Sequence, residues 1–133
     1  MENHKEITGS ICVVLAYLIG GWDRAIQILL ILMFFDVVTG AFRGLKTNTF
    51  TSKKLRTGLM QKAGFFIVII LAYQIDVMLN QELTMPIRTV TSYFYIAVEG
   101  SSLLENLGQL GVPIPKGLAK KLAKLKQEND EGE

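Results

Sequence analysis

Residues 25–44 read AIQILLILMFFDVVTGAFRG, an apolar run of bilayer length that keeps an aspartate, an arginine and two glycines. An Asp at the centre of a membrane helix costs about 2.5–3.5 kcal/mol on insertion, whereas each Leu, Ile, Phe or Val returns about 0.3–0.6. Residues 25–42 hold eleven of those four apolar types, worth roughly 3–7 kcal/mol on the same scale. The segment therefore inserts, and Asp36 is a standing cost that has to face a bundle interior, a water-filled cavity or a partner charge. Helical spacing puts Asp36, Thr39, Gly40, Arg43 and Gly44 at i, i+3, i+4, i+7 and i+8, one stripe of polar and small residues. Gly40 and Gly44 form a GxxxG that admits a second helix closely. The stripe reads either as a polar lock between helices or as a functional surface.

The rest of the chain repeats the pattern. Of 133 residues, 50% are hydrophobic and only 20% charged, against the usual quarter, and the charges cluster between long apolar runs. Residues 63–79 are a second strongly apolar segment, so the two make a hairpin. Between them lies a loop, residues 43–62, with Arg43, Lys46, Lys53, Lys54, Arg56 and Lys62 and no acid. The positive-inside rule makes this loop cytoplasmic, where its cations meet anionic lipid. A shorter run, residues 7–20, precedes the hairpin. A signal peptide is the competing reading there, but IGGWDR offers no small-x-small cleavage site and further membrane segments follow.

Residues 85–107 decide the topology. If they span, the tail lysines Lys116, Lys120, Lys121, Lys124 and Lys126 return to the cytoplasm, and 12 of the 14 basic residues lie inside. The expected fold is therefore all-α and polytopic, with four transmembrane helices near 7–20, 25–42, 63–79 and 85–107 and both termini cytoplasmic. Three spans is the alternative, lacking the first. Residues 1–115 form the membrane domain. Residues 116–133 form a cytoplasmic tail: a short basic amphipathic helix for the anionic inner leaflet, with Leu118, Leu122 and Leu125 on one face, and then an acidic end, 128–133, expected to be disordered.

Within the fourth segment Arg88, Ser92, Tyr95, Glu99, Ser102 and Asn106 recur at i, i+4, i+7, i+11, i+14 and i+18. This is a polar stripe along a whole helix, with Val90, Phe94, Ala97, Leu104 and Leu107 opposite, as a pore-lining helix, an interfacial helix lying flat or a helix buried among neighbours would have. Asp76 falls near the outer end of the third segment, in reach of headgroups or Arg88. Enzyme chemistry finds no support: the single His4 is in the N-terminal tail, and there is no metal-ligand cluster, phosphate loop or nucleophile–base pair. No cofactor and no nucleic-acid partner are expected. Cys12 is one cysteine inside an apolar run, so no intramolecular disulfide forms.

The order of these motifs resembles the toxin-secretion and phage-lysis holin family. It comprises Asp-x-x-Thr-Gly (Asp36, Thr39, Gly40), a basic loop with Ser52, Gly58 and Lys62, Asp76 near the end of the next helix, Glu-x-x-Ser-x-x-Glu-Asn (Glu99, Ser102, Glu105, Asn106) and Gly-x-Pro-Ile-Pro (Gly111, Pro113, Ile114, Pro115). The resemblance implies a small phage or prophage protein of the bacterial inner membrane. Such a protein self-associates and opens lesions through which a cell-wall hydrolase, or in some relatives a toxin, leaves the cell, with no direct contact needed between them. Other readings of the residues stay open: an ion or proton transporter using the membrane carboxylates, and an antiholin or membrane scaffold.

Overall fold

A computed structural model describes residues 2–80 and 84–131. Five α-helices follow in order: α1 (Glu2–Ile19), α2 (Arg24–Lys46), α3 (Ser52–Met78), α4 (Ile87–Gln109) and α5 (Lys116–Glu131), and no strand occurs among the described residues. The helix starts are written locally. The Asp23 carboxylate accepts from the Ile26 amide and caps α2, and the Thr51 hydroxyl accepts from the Lys54 amide and caps α3. Helix α5 runs to Glu131, so the acidic stretch expected to be disordered is helical as far as the description reaches; residues 132 and 133 lie outside the described residues.

Helix α4 is the hub, packing against α2, α3 and α5, while α1 packs along α3 and meets α4 through Arg88 at its last residue, Ile19. Helices α2 and α4 run parallel: Asp23 meets Arg88 where both begin, and Lys46 donates to the Gln109 carbonyl where both end. Helix α3 runs against them, with Lys62 beside Asp36 and Glu99 and Asp76 beside the first turn of α4.

The apolar core is small: Ile19, Ile26, Leu29, Met33 and Ile69, flanked by Phe65, Phe66, Ile70, Tyr95 and Ile96. Polar side chains are buried as deeply as this core: Asp76, Arg88, Ser92, Glu99, Asn106 and Thr39 are all hidden. Large apolar residues face outward instead, among them Ile31, Phe34, Phe42, Ile67 and Leu71. A fold that hides charge and shows hydrocarbon suits lipid rather than water.

Two helices, α2 and α3, are long and apolar enough to cross a membrane. The first and fourth expected segments are helical but fall short of that measure. Helix α1 opens with Glu2, Lys5 and Glu6, and α4 carries Arg88, Glu99 and Glu105 along its length. Composition and length thus support two spans where four are expected from the charge distribution.

Candidate functional site

The buried face of α3 carries Lys62, Phe65, Ile69, Ala72 and Asp76, spaced i, i+3, i+7, i+10 and i+14. Two charges therefore end one helical stripe, fourteen residues or about 21 Å apart. Each anchors a polar layer through the bundle.

At the layer nearer the 43–51 connection, the Lys62 ammonium donates to Asp36 Oδ2 and to Glu99 Oε2, both at 2.6 Å. One cation from α3 thus ties α2 to α4 through two carboxylates, with Lys62, Asp36 and Glu99 side chains 13%, 14% and 3% exposed. Asn106 completes the layer: its amide nitrogen donates to Asp36 Oδ1 at 2.8 Å, to the Asp36 carbonyl at 3.2 Å and to Thr39 Oγ1 at 3.1 Å. Two buried carboxylates sharing one ammonium leave the group one charge short, and Arg43 lines the same cavity without an ion pair of its own among the described residues. That cavity, of about 520 Å³, lies between α2, α3 and α4 and is also lined by Ser102, Lys54 and Glu105.

The second layer closes the other end. Asp76, 1% exposed, accepts from the backbone amides of Ile87 and Arg88, both at 2.8 Å. Pro86, which precedes α4, supplies no side-chain cap, so a carboxylate from α3 takes the orphan amides at the positive end of the helix. Asp76 meets Arg88 through that residue's backbone amide. The Arg88 guanidinium turns instead to the α1–α2 connection, donating to the Ile19 carbonyl, to the Gly21 carbonyl at 3.0 Å and to Asp23 Oδ2 at 2.6 Å. Gly20 makes room, being at φ +90°; a Cβ there would lie 2.7 Å from both Arg88 Nε and Tyr73 Cδ2. Burial pushes the Asp23 carboxyl up, but the bond and charge of Arg88 and the Ile26 amide outweigh it and hold Asp23 below its ordinary value. No buried side-chain nitrogen or oxygen among the described residues lacks a partner.

The other expected positions fall as follows. Ser92 is fully buried between the layers and donates to the Arg88 carbonyl, and Tyr95 stacks on Phe65 at 4.2 Å. Gly40 faces Asn106 of α4, with the amide nitrogen 3.5 Å from a Cβ position. Gly44 is approached by Phe50 of its own following turn, at 3.1 Å, rather than by another helix. Lys46, Lys53, Lys54 and Arg56 are exposed, as are Lys116, Lys120, Lys121, Lys124 and Lys126. Lys62, expected with the lipid-facing loop, is inside the bundle. Asp23 was not among the expected residues. Both had signals: Lys62 shares a four-turn stripe with Asp76, and Asp23 stands where an N-cap belongs. Among the described residues no cluster of acids, His or Cys is arranged to hold a metal.

Comparison with known proteins finds a family and relatives that cover most of the chain. A family model described as the bacteriophage holin family matches residues 13–127. A Bacillus phage phi105 protein named as a probable holin is 34% identical over 116 residues, covering 87% of this chain and 84% of the relative. An uncharacterised Clostridium perfringens protein is 37% identical over 114 residues, 86% of this chain and 84% of that one. An uncharacterised Bacillus subtilis protein is 36% identical over 115 residues, 86% and 80% respectively. No solved structure matches.

Proposed function

This chain belongs to the bacteriophage holin family, and on that premise we propose that it collects in the bacterial inner membrane, self-associates and opens lesions that release a cell-wall hydrolase or a toxin. The observation that carries the mechanism is the Asp36–Lys62–Glu99 group, three charges from three helices buried at one level. Breaking a buried pair by removing one partner costs about 3–5 kcal/mol because the charge left behind is stranded. The closed bundle avoids that cost by pairing. Water is the other way to satisfy the same charges, and a lumen supplies it.

In this reading the stripe of α4, with Arg88, Ser92, Glu99, Ser102 and Asn106, is hidden inside one copy and lines the lumen of an assembly of many. Each arrangement satisfies its polar groups, and crowding in the membrane shifts the population from the first to the second. The outward Phe34, Phe42, Ile67 and Leu71 remain against lipid or a neighbouring copy in both. Four crossings with both termini cytoplasmic suit the parallel α2 and α4 and the antiparallel α3. Once fully inserted, helix α4 crosses beside α2 and α3 with its polar side turned from lipid. Helix α1, apolar and almost wholly exposed, is the crossing the three-span version lacks. The protein performs no catalysis; it lets an enzyme through.

The carboxylates bound to Lys62 also favour a second reading, a narrow proton or ion path. One experiment separates them. The chain is induced alone in bacteria while culture density, membrane potential and release of a co-expressed folded cytoplasmic hydrolase are followed. Abrupt loss of potential with enzyme release after a delay is the expected result. Loss of potential without release would move the assignment to an ion path.

A further inference from the structure

Helix α5 lies along α4, with the Leu122 methyl carbons 3.2 and 3.3 Å from where a Cβ on Gly100 would stand. That is closer than ordinary contact, so the seat fits Leu122 because residue 100 has no side chain. Leu122 and Leu125 are the partly buried residues among the described side chains of α5, and its five lysines are exposed. Gly100 is nine residues, about 14 Å, short of the end of α4 at Gln109. If α4 crosses the bilayer to Gln109, a docked α5 carries its lysines down beside the hydrocarbon, where ammonium groups are costly. Docking of α5 and full insertion of α4 therefore exclude one another. The leucine face has another partner available, since a basic helix with one apolar side also lies on an anionic leaflet. The link between the helices can give at residues 113–115: the Gly111 and Val112 amides are held to the Gly108 and Leu107 carbonyls of α4, whereas Pro113 and Pro115 have no amide to donate.

We propose that α5 is a strap that holds the chain closed. Docked over Gly100, it keeps α4 from full insertion and covers the close-packing position at that glycine. Released, its leucines enter the anionic inner leaflet and the uncovered face of α4 receives a second copy of the chain. Glycine at the centre of that face is what lets two membrane helices approach closely. The strap rests on the hole-forming reading only for its consequence, not for its existence.

The test uses the full chain carrying Cys12→Ser, Gly100→Cys and Leu122→Cys in vesicles of phosphatidylethanolamine and phosphatidylglycerol. Leu122 Cγ, where a cysteine sulfur would stand, is 3.9 Å from the residue-100 Cβ position, so a small shift of α5 brings the pair to bridging distance. Chemical crosslinking between copies and escape of an entrapped dye are compared before and after reduction. The oxidised form is expected to lose most of its crosslinked oligomer and its dye escape, and reduction to restore both. Gly100→Leu, which fills the seat and displaces Leu122, is expected to raise crosslinking and hasten escape; it decides the case if the cysteine pair does not fold. Equal crosslinking by oxidised and reduced forms, or wild-type crosslinking by Gly100→Leu, overturns the strap. If wild-type vesicles crosslink but keep their dye, the hole reading fails and crosslinking alone still decides the strap.

Discussion

Lys62 is the residue on which the closed state turns, because its ammonium is bonded at 2.6 Å to carboxylates of two other helices. Lys62→Met leaves Asp36 and Glu99 buried and facing each other without a cation. Thermal unfolding in detergent should show a loss of about 3–5 kcal/mol, and adding Asp36→Asn with Glu99→Gln should recover most of it. A triple variant no more stable than Lys62→Met would mean that the lysine acts by packing its stem. Asp23 makes a weaker, half-exposed contact with Arg88 and gives a pH dependence of definite sign. Its carboxyl is held below 3.8 in the fold, so its contribution is present above the unfolded value and lost as pH falls through the lower folded one. Wild type should therefore be more stable than Asp23→Asn at pH 7, and the two should converge in acid below the ordinary Asp range. A gap that persists or widens in acid contradicts the pairing.

At the scale of elements, the helix that most needs help is α4, which begins after a proline and borrows its cap from α3. Asp76→Ala strands the Ile87 and Arg88 amides in a buried place, at about 1–3 kcal/mol, and amide exchange in the first turn of α4 should rise while α2 stays protected. Uniform loosening of all helices would instead make Asp76 a general core residue. The stripes of α2 and α4 are periodic, so their buried sides follow from spacing alone. The partners across helices are not periodic: charge alone does not tell Lys62 from Lys53 or Lys54, and its alignment with Asp76 along α3 does. Gly44 likewise reads as half of a GxxxG, although the chain folds back at Thr49 and Phe50 to fill its space. Helix α5 has the composition of a surface helix, and only the tertiary fold reveals that its Leu122 finds Gly100.

Across the whole molecule the two charge layers enclose a slab spanned by thirteen residues of α2, from Asp23 to Asp36, or about 20 Å. That is thinner than a hydrocarbon core of about 30 Å, so the inner layer sits at a depth where a lone charge is costly and a lumen would relieve it. Topology follows from the same frame. Reporter domains inserted at residue 48 should read as cytoplasmic and at residue 21 as external; the reverse would invert the positive-inside assignment. The central claim, that a stripe sealed inside one copy becomes wet in the assembly, is tested most directly at Ser92, which is fully buried between the layers. In a Cys12→Ser, Ser92→Cys chain, labelling by a membrane-impermeant thiol reagent would be followed through the onset of enzyme release. The account predicts protection before onset and rapid labelling after it. Protection that continues while the enzyme escapes would show that the hole is lined by something other than this face of α4.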